Sequence, residues 1–288
     1  MAILLAYGFP GPEARVTGDA PAVLRVADRT VAEYAWQPDL PVGLSPRPYL
    51  HPVRTLGGQV VTELMPPSHR HHLGVSVAIA EVDGGNFWGG RTFTPEHGPA
   101  WLDNQGTQRH VRWLRRDDAD LREALRWDTF DGASLLAERR TIAARPLDDT
   151  AWALDFTFTL ANVAERDLPI RSPATHGRAG AGYGGFFWRA PSAGPSRVSG
   201  DVHGRSAPWM SVESAGWTLV FVAGDAATRN DRWFVRTRDY LGVGSALAWD
   251  APLVLSAGAS LTRRVVTVVA DGSLSEARAA AYAGQLVS

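Results

Sequence analysis

Eight histidines are spread over 288 residues, and three of them, His69, His71 and His72, fall inside the stretch SHRHHLG. Three imidazoles so close together can ligate a metal, share general acid and base work, or only hydrogen-bond the backbone where a strand begins. On an extended strand, His69 and His71 would point to one face and His72 to the other. A metal site would then take two ligands here and need a third from elsewhere. His51 in YLHPVR, His176 in THGRAG and His203 in DVHGR are the available imidazoles, and Glu63, Glu81 and Glu96 the carboxylates. The divalent-metal option therefore rests on His69, His71, His51 and Glu63. No His-Glu-x-x-His signature accompanies it. Acid and base catalysis asks for less: His71 or His72 as base, with His51 or His176 as acid from another segment.

Aromatic side chains set among glycines or beside a proline give a second signal. NFWGG carries Asn86 and Trp88, GYGGFFWR carries Tyr183, Trp188 and Arg189, and APWMS carries Trp209. Rings on such loops can stack on the apolar face of a sugar while polar side chains take its hydroxyls. Arg47, Tyr49, Asn86, Arg189 and His203 are the polar candidates, with Trp88, Tyr183, Trp188 and Trp209 as the rings. The glycines of RAGAGYGG do not read as a phosphate cradle, because FFWRA after them reads as a strand and not as a helix N-terminus. They suit a tight turn and a close approach of backbone to substrate.

These residues must be held by strands. Short runs rich in Val, Ile, Thr, Phe and Trp recur between Gly, Pro and Asp clusters, as in AVLRVAD, TVAEYAWQ, LGVSVAIAEV, RHVRWLRR, GFFWRA, WTLVFVAG, RWFVRTR and SLTRRVVTVVAD. In WALDFTFTL, alternation sends Trp152, Leu154, Phe156, Phe158 and Leu160 inward and Asp155, Thr157 and Thr159 outward. The core claims Trp152 and Trp217. MAILLAYGFPGPEAR reads as a first strand, since it lacks the basic start of a signal peptide and is broken by Gly8 and Pro10. DLREALRWD fits either a helix or a strand. LSEARAAAYAGQL predicts a short terminal helix, capped by Ser273 and packed on a sheet edge. The Gly- and Pro-rich stretch 191–208 reads as a long loop of the kind that carries function. The expected fold is all-β, a large antiparallel two-sheet β-sandwich forming one domain over residues 1–288, with a short C-terminal helix.

Composition removes several functions. The chain contains no lysine, its 29 basic residues are all arginine, and its formal net charge is only −1, which argues against a nucleic-acid partner. Cysteine is absent, so thiolate catalysis, Cys-ligated metals and disulfides are excluded together. No apolar run approaches the roughly 20 residues of a membrane-spanning helix. A cytoplasmic protein with no membrane partner is expected, its oligomeric state left open.

Four blocks, RPYLHPVRTLGGQVVTE, HRHHLGVSVAIAEVDGGNFWGG, GYGGFFWR and PLVLSAGASLTRRVVTVVADG, resemble a bacterial family known as PmoA-like methane oxygenase proteins. That family joins a Pro-Tyr/Phe-x-His-Pro block to a His-x-His-His-x-Gly block. Leu73 stands where it has Arg, and Ser68 where it has Asp. The resemblance covers most of the chain from about residue 30 onward, and implies a galactose-mutarotase-like supersandwich and a sugar-like substrate. Residues and resemblance together lead to an expected enzyme acting on a carbohydrate or sugar-derived molecule by histidine acid and base chemistry, of lyase, hydrolase or epimerase type. The alternatives are a metal-dependent version of that site and a noncatalytic carbohydrate-binding sandwich.

Overall fold

The computed structural model describes residues 20–192 and 194–287. The strand expected in MAILLAYGFPGPEAR lies outside the described residues. In chain order the strands begin with β1 (Ala22–Val26), β2 (Arg29–Ala35), β3 (Tyr49–Val53), β4 (Val75–Val82), β5 (Gly85–Phe87), β6 (Thr92–Thr94) and β7 (Gly98–Ala100). Next come β8 (Thr107–Arg116), β9 (Asp120–Asp128), β10 (Ser134–Pro146), β11 (Ala151–Asn162), β12 (Leu168–Arg171), β13 (Gly184–Ala190) and β14 (Arg197–Val198). The chain ends with β15 (Trp209–Ser214), β16 (Trp217–Ala223), β17 (Arg232–Arg236), β18 (Leu241–Ala246), β19 (Leu253–Leu255), β20 (Ser260–Asp271) and helix α1 (Glu276–Leu286).

Two large antiparallel sheets form a sandwich. One runs β1-β2-β3-β4-β13-β18-β17, with β5 and β12 also paired to β4 and β19 paired to β12. The other runs β14-β15-β16-β20-β11-β10-β9-β8, and β6 and β7 form a separate hairpin. Their inner faces meet in one apolar core that includes Trp127, Trp152, Trp188 and Trp233, all fully buried. The inward set of β11 is the one its alternation predicts. Asp155 does point away from that core, yet it is buried, paired with Arg264 at 2.8 Å and Arg145 at 3.1 Å. DLREALRWD forms β9, because its period-two face of Leu121, Glu123, Leu125 and Trp127 turns inward between two neighbouring strands.

Two expectations about the C-terminal helix are corrected. Ser275 rather than Ser273 is the N-cap, its hydroxyl accepting from the Arg278 amide. The helix lies on the outer face of the eight-stranded sheet rather than at its edge. Ala279, Tyr282 and Ala283 pack on Ala153, Val220, Val222, Val266 and Val268, since β16 and β20 carry apolar side chains on both faces. The described residues of the stretch 191–208 are mainly irregular and include the short strand β14.

A buried polar cluster crosses the inter-sheet core. Arg140 donates to Glu138 at 2.7 and 2.9 Å, to the Tyr34 hydroxyl at 3.0 Å and to Gln108 at 3.0 Å. Glu123 accepts from Tyr34 and meets His110 Nδ1 at 2.6 Å. A buried charge set of this kind holds only while every member keeps its partner. We predict that Arg140→Leu, which strands Glu138, costs about 3 kcal/mol or more in urea unfolding. A loss under about 1 kcal/mol would show that the cluster does not brace the core.

Candidate functional site

The site is built on the face of the ten-stranded sheet that points away from the sandwich core. Along β4, Val75, Val77 and Ile79 turn inward and leave Ser76, Ala78 and Ala80 outside. On β13 the core takes Phe186 and Trp188, so Phe187 and Arg189 face out; on β17 it takes Trp233 and Val235, so Phe234 and Arg236 face out. Small outward residues on β18 make room for rings: a Cβ on Gly242 would stand 3.1 Å from the Phe187 ring. Ala78, Trp88, Phe187 and Phe234 form a second, smaller apolar cluster there, joined by Tyr183, Tyr240 and Trp249. Above it opens a cleft of about 870 Å³, within the size range of small-molecule sites.

His69, His71 and His72 all line this cleft. The expected strand alternation is overturned, because the segment folds into tight turns: the His69 amide donates to Pro66 O and the His72 amide to His69 O, each at 2.9 Å. The rings therefore gather, with centroids 4.7 Å apart for His69 and His72, 4.7 Å for His71 and His72 and 6.0 Å for His69 and His71. His69 and His72 stack face to face. Among the described residues, no three His, Asp or Glu side chains are placed to hold one metal ion.

Burial keeps the three imidazoles neutral. It pushes His71 down to about 3, helped by the positive charge of Arg47 and by its neighbouring imidazole, and it holds His72 and His69 below the ordinary histidine range as well. Their roles then diverge. Arg189 faces His72 Nδ1 at 3.4 Å, while its other nitrogens pair with Glu63 at 2.6 and 2.8 Å. A guanidinium can only donate, so His72 Nδ1 accepts and its Nε2 carries the proton. His69 Nδ1 is 3.0 Å from the Ser68 hydroxyl. The His71 ring has no hydrogen-bond partner among the described residues, and lies against Gly90, where a Cβ would come within 2.9 Å of Nδ1. Gly90 has φ of +71°, so the glycine supplies both the turn and the room. Tyr240 stands 4.9 Å from both His69 and His72, with the Arg189 guanidinium 4.7 Å over its ring. Burial raises its hydroxyl to about 12, so it stays protonated.

One buried cation ties the cleft together. Arg47 is 1% exposed and has no carboxylate partner among the described residues. It donates to the carbonyls of Leu44, Ser45, Trp88 and His71 at 2.7 to 3.1 Å and to Ser76 Oγ at 3.2 Å. Burial and Arg140 lower it to about 9, which leaves it charged at neutral pH.

The other residues singled out in the sequence divide. Trp88 and Tyr183 line the cleft as expected. Trp188 does not: it is fully buried and donates to Val61 O at 2.9 Å, because it falls on the inward face of β13. Trp209 packs toward the helix-covered face of the other sheet. Tyr49 is buried beside Leu73 in an apolar cluster, and Arg47 and Arg189 stand behind the cleft wall. Asn86 is a turn brace rather than a ligand: its Oδ1 accepts from the Trp88 and Gly89 amides and its Nδ2 donates to Thr92. His51 is near in space, since a Cβ on Gly74 would be 3.1 Å from its Cβ, but it faces Thr62 Oγ1 at 2.9 Å and lines no part of the cleft. Burial lowers it to about 4. His176 pairs with Glu81 at 2.7 Å, outside the cleft. His203 accepts from the Val235 amide at 3.1 Å and meets the Trp249 and Phe234 rings. Glu63 is engaged by Arg189, and Glu96 is exposed in the β6-β7 turn. The close approach at RAGAGYGG is to a ring, for a Cβ on Gly182 would sit 2.1 Å from Trp249.

Sequence reasoning missed Tyr240, Trp101, Arg178 and Arg236, which all line the cleft. Only Arg236 had a legible signal, because alternation in RWFVRTR puts it opposite Trp233 and Val235. Trp101 is 58% exposed at the mouth and leans on Gly43.

Two predictions follow from this geometry. Arg47→Lys, whose ammonium has three donors and no planar fork, leaves buried carbonyls unpaired and should cost on the order of 2 to 3 kcal/mol in denaturant unfolding. Full stability would mean that water replaces the guanidinium. Because the folded-state affinities of His51 and His71 lie below the unfolded reference of about 6.5, the unfolded chain binds more protons in acid. Stability should be complete above about pH 6.5 and fall progressively toward pH 4, and His71→Gln should flatten that slope in melting-temperature scans. An unchanged slope in the variant would place His71 in solvent.

A search of curated proteins gives no match. Among solved structures, the chain is similar to the crystal structure of a heparan sulfate lyase HepC mutant from Pedobacter heparinus, at 10% identity and a TM-score of 0.30. The alignment covers 59% of this chain and 22% of that one, so the chain spans about a fifth of that protein's length. Residues 22–284 match the model of a family described as a family of unknown function, DUF6807, and the chain belongs to that family.

Proposed function

We propose that the cleft is the active site of an enzyme that moves a proton on a carbohydrate or sugar-derived substrate, with His71 as general base and Tyr240 as general acid. The observation that carries this reading is that both side chains face the cleft with no hydrogen bond to the described protein, whereas His72, Arg189 and Glu63 are bound to one another. A neutral imidazole presents a lone pair, and a protonated phenol can give up its proton to a leaving oxygen. His72, with Nε2 protonated, serves as a fixed donor to a substrate oxygen.

Saccharide is supported by the wall. Trp88, Trp101, Tyr183 and Tyr240 line one cleft with arginines between them, a mix that suits rings bearing hydroxyls. The resemblance to a PmoA-like family with a galactose-mutarotase-like sandwich belongs to the same reading. His51 and His176, first expected as the acid, are given up in favour of Tyr240 because neither lines the cleft. The metal-dependent alternative is not favoured, since His69 and His72 stack ring on ring and, among the described residues, no three His, Asp or Glu side chains are placed to hold one ion.

The test screens oligosaccharides for new reducing ends, new double bonds and epimer formation, then compares variants on the active substrate. His71→Gln and Tyr240→Phe should each lower kcat by about 100-fold while binding, followed by tryptophan fluorescence, changes little. Saccharide binding with no turnover in the unmodified protein would make the domain a noncatalytic binder. Full activity of both variants would remove the acid and base assignment.

A further inference from the structure

Four arginines, Arg70, Arg91, Arg178 and Arg236, line the cleft together with two carboxylates, Asp103 and Asp239. Apart from Arg47, which carbonyls surround, the buried and half-buried guanidinium groups elsewhere are matched: Arg140 by Glu138, Arg189 by Glu63, Arg263 by Asp231 and Arg264 by Asp155. None of the four cleft arginines makes an ion pair among the described residues. The charge of the opening is therefore positive, because its imidazoles are held neutral.

Two of these cations work on the same spot. Arg178 lies 5.9 Å over the Phe93 ring, and its charge acts on the Tyr183 hydroxyl. Arg236 donates to Gly180 O at 3.1 Å and lies 4.9 Å over the Phe234 ring. Both fields reach Tyr183 and Tyr240. Ring faces and a carbonyl thus hold two guanidinium groups beside the aromatic wall, and neither is paired with a carboxylate among the described residues. Like charges kept on one wall repel, and an anion seated between them removes that cost.

We infer that Arg178 and Arg236 form a subsite for the carboxylate of an acidic saccharide, so that the substrate class is a uronic acid-containing sugar. The inference rests on the reading of the cleft as a saccharide site. The planar guanidinium fork matches a carboxylate with two parallel hydrogen bonds, while the rings beside it take the sugar's apolar face. A bound carboxylate also favours the protonated form of a nearby imidazole, which counteracts the burial that makes His71 a weak base. Substrate charge would then strengthen His71 as a base. Asp239 stands beside His69 and faces the same opening, where it repels an anion placed too near the imidazoles and favours the arginine end.

The test is calorimetric titration of the full chain with trisaccharides of glucuronate and of galacturonate, their methyl esters, a sulfated neutral trisaccharide and inorganic sulfate. The acid form should bind at least about tenfold more tightly than its ester, and raised salt should erode the difference. In R178Q/R236Q, two substitutions of partly or fully exposed side chains, acid and ester should bind alike, with the ester's affinity and the melting temperature unchanged. Tighter binding of the sulfated sugar than of either uronate would overturn the carboxylate assignment. Equal binding of acid and ester by the unmodified protein overturns the subsite and leaves the saccharide site standing. Binding of inorganic sulfate that needs both arginines, with no saccharide bound, would overturn the sugar reading and the uronate assignment while retaining an anion site. No binding of any probe overturns both readings.

Discussion

A single buried guanidinium holds the cleft in shape. Among the described residues no carboxylate meets Arg47, and its charge is spread instead over four backbone carbonyls and a hydroxyl from separate segments. Those carbonyls belong to the turn Val42–Leu44 and the residue after it, to the histidine turn and to the loop after β5, and the three segments make one side of the opening. A cation without counter-ion is stable in the interior only while several dipoles point at it. Loss of any one segment's position would leave both the charge and the carbonyls short of partners. The loops that carry His71 and Trp88 are thus fixed by electrostatics rather than by regular secondary structure.

The same economy of counter-charge governs the chemistry. Burial, two arginines and mutual repulsion keep three adjacent imidazoles uncharged, so they can crowd within 4.7 to 6.0 Å of one another without the cost of stacked cations. Their hydrogen bonds then sort them. Arg189 fixes the tautomer of His72, Ser68 meets His69, and His71 alone is left to face the cleft unpartnered. Glu63 anchors Arg189 from behind, which links the imidazoles to β13 without placing a carboxylate among them. In the cleft His71 is neutral and Tyr240 protonated, and the positive charge lies on the arginines around them.

The two faces of the ten-stranded sheet have different tasks. Its inner face supplies Val, Ile and Trp side chains to the sandwich core. Its outer face carries Ser76, Ala78, Gly242 and Gly244, small enough for aromatic side chains from the loops to lie flat against the strands. This second apolar layer is a floor for the cleft. The outer face of the other sheet is closed by α1 instead, and Trp209 goes with that closure rather than with the site.

By itself the sequence determined the strands, because a side-chain period of two and Gly, Pro and Asp punctuation are local properties. Each of the nine strand segments read from it within the described residues is present, and the core positions of Trp152 and Trp217 follow from alternation and composition. Clustering of His69, His71 and His72 was legible too, although their arrangement was not: two tight turns override the alternation that a strand would impose. What only the tertiary structure decided is which polar side chains share a cleft. Tyr240 lies 168 positions from His72 in the chain, and no local pattern marks the two as neighbours. Trp188 and Trp88 look alike in sequence, each an aromatic near glycines, yet strand register sends one into the core and leaves the other on the cleft wall. His51, His71 and His176 are equally plausible acids or bases as residue types. Pairing of His51 with Thr62 and of His176 with Glu81 commits two of them elsewhere, because a buried or half-buried imidazole takes whatever partner the fold brings within reach, and that partner is set by strand pairing over tens of residues.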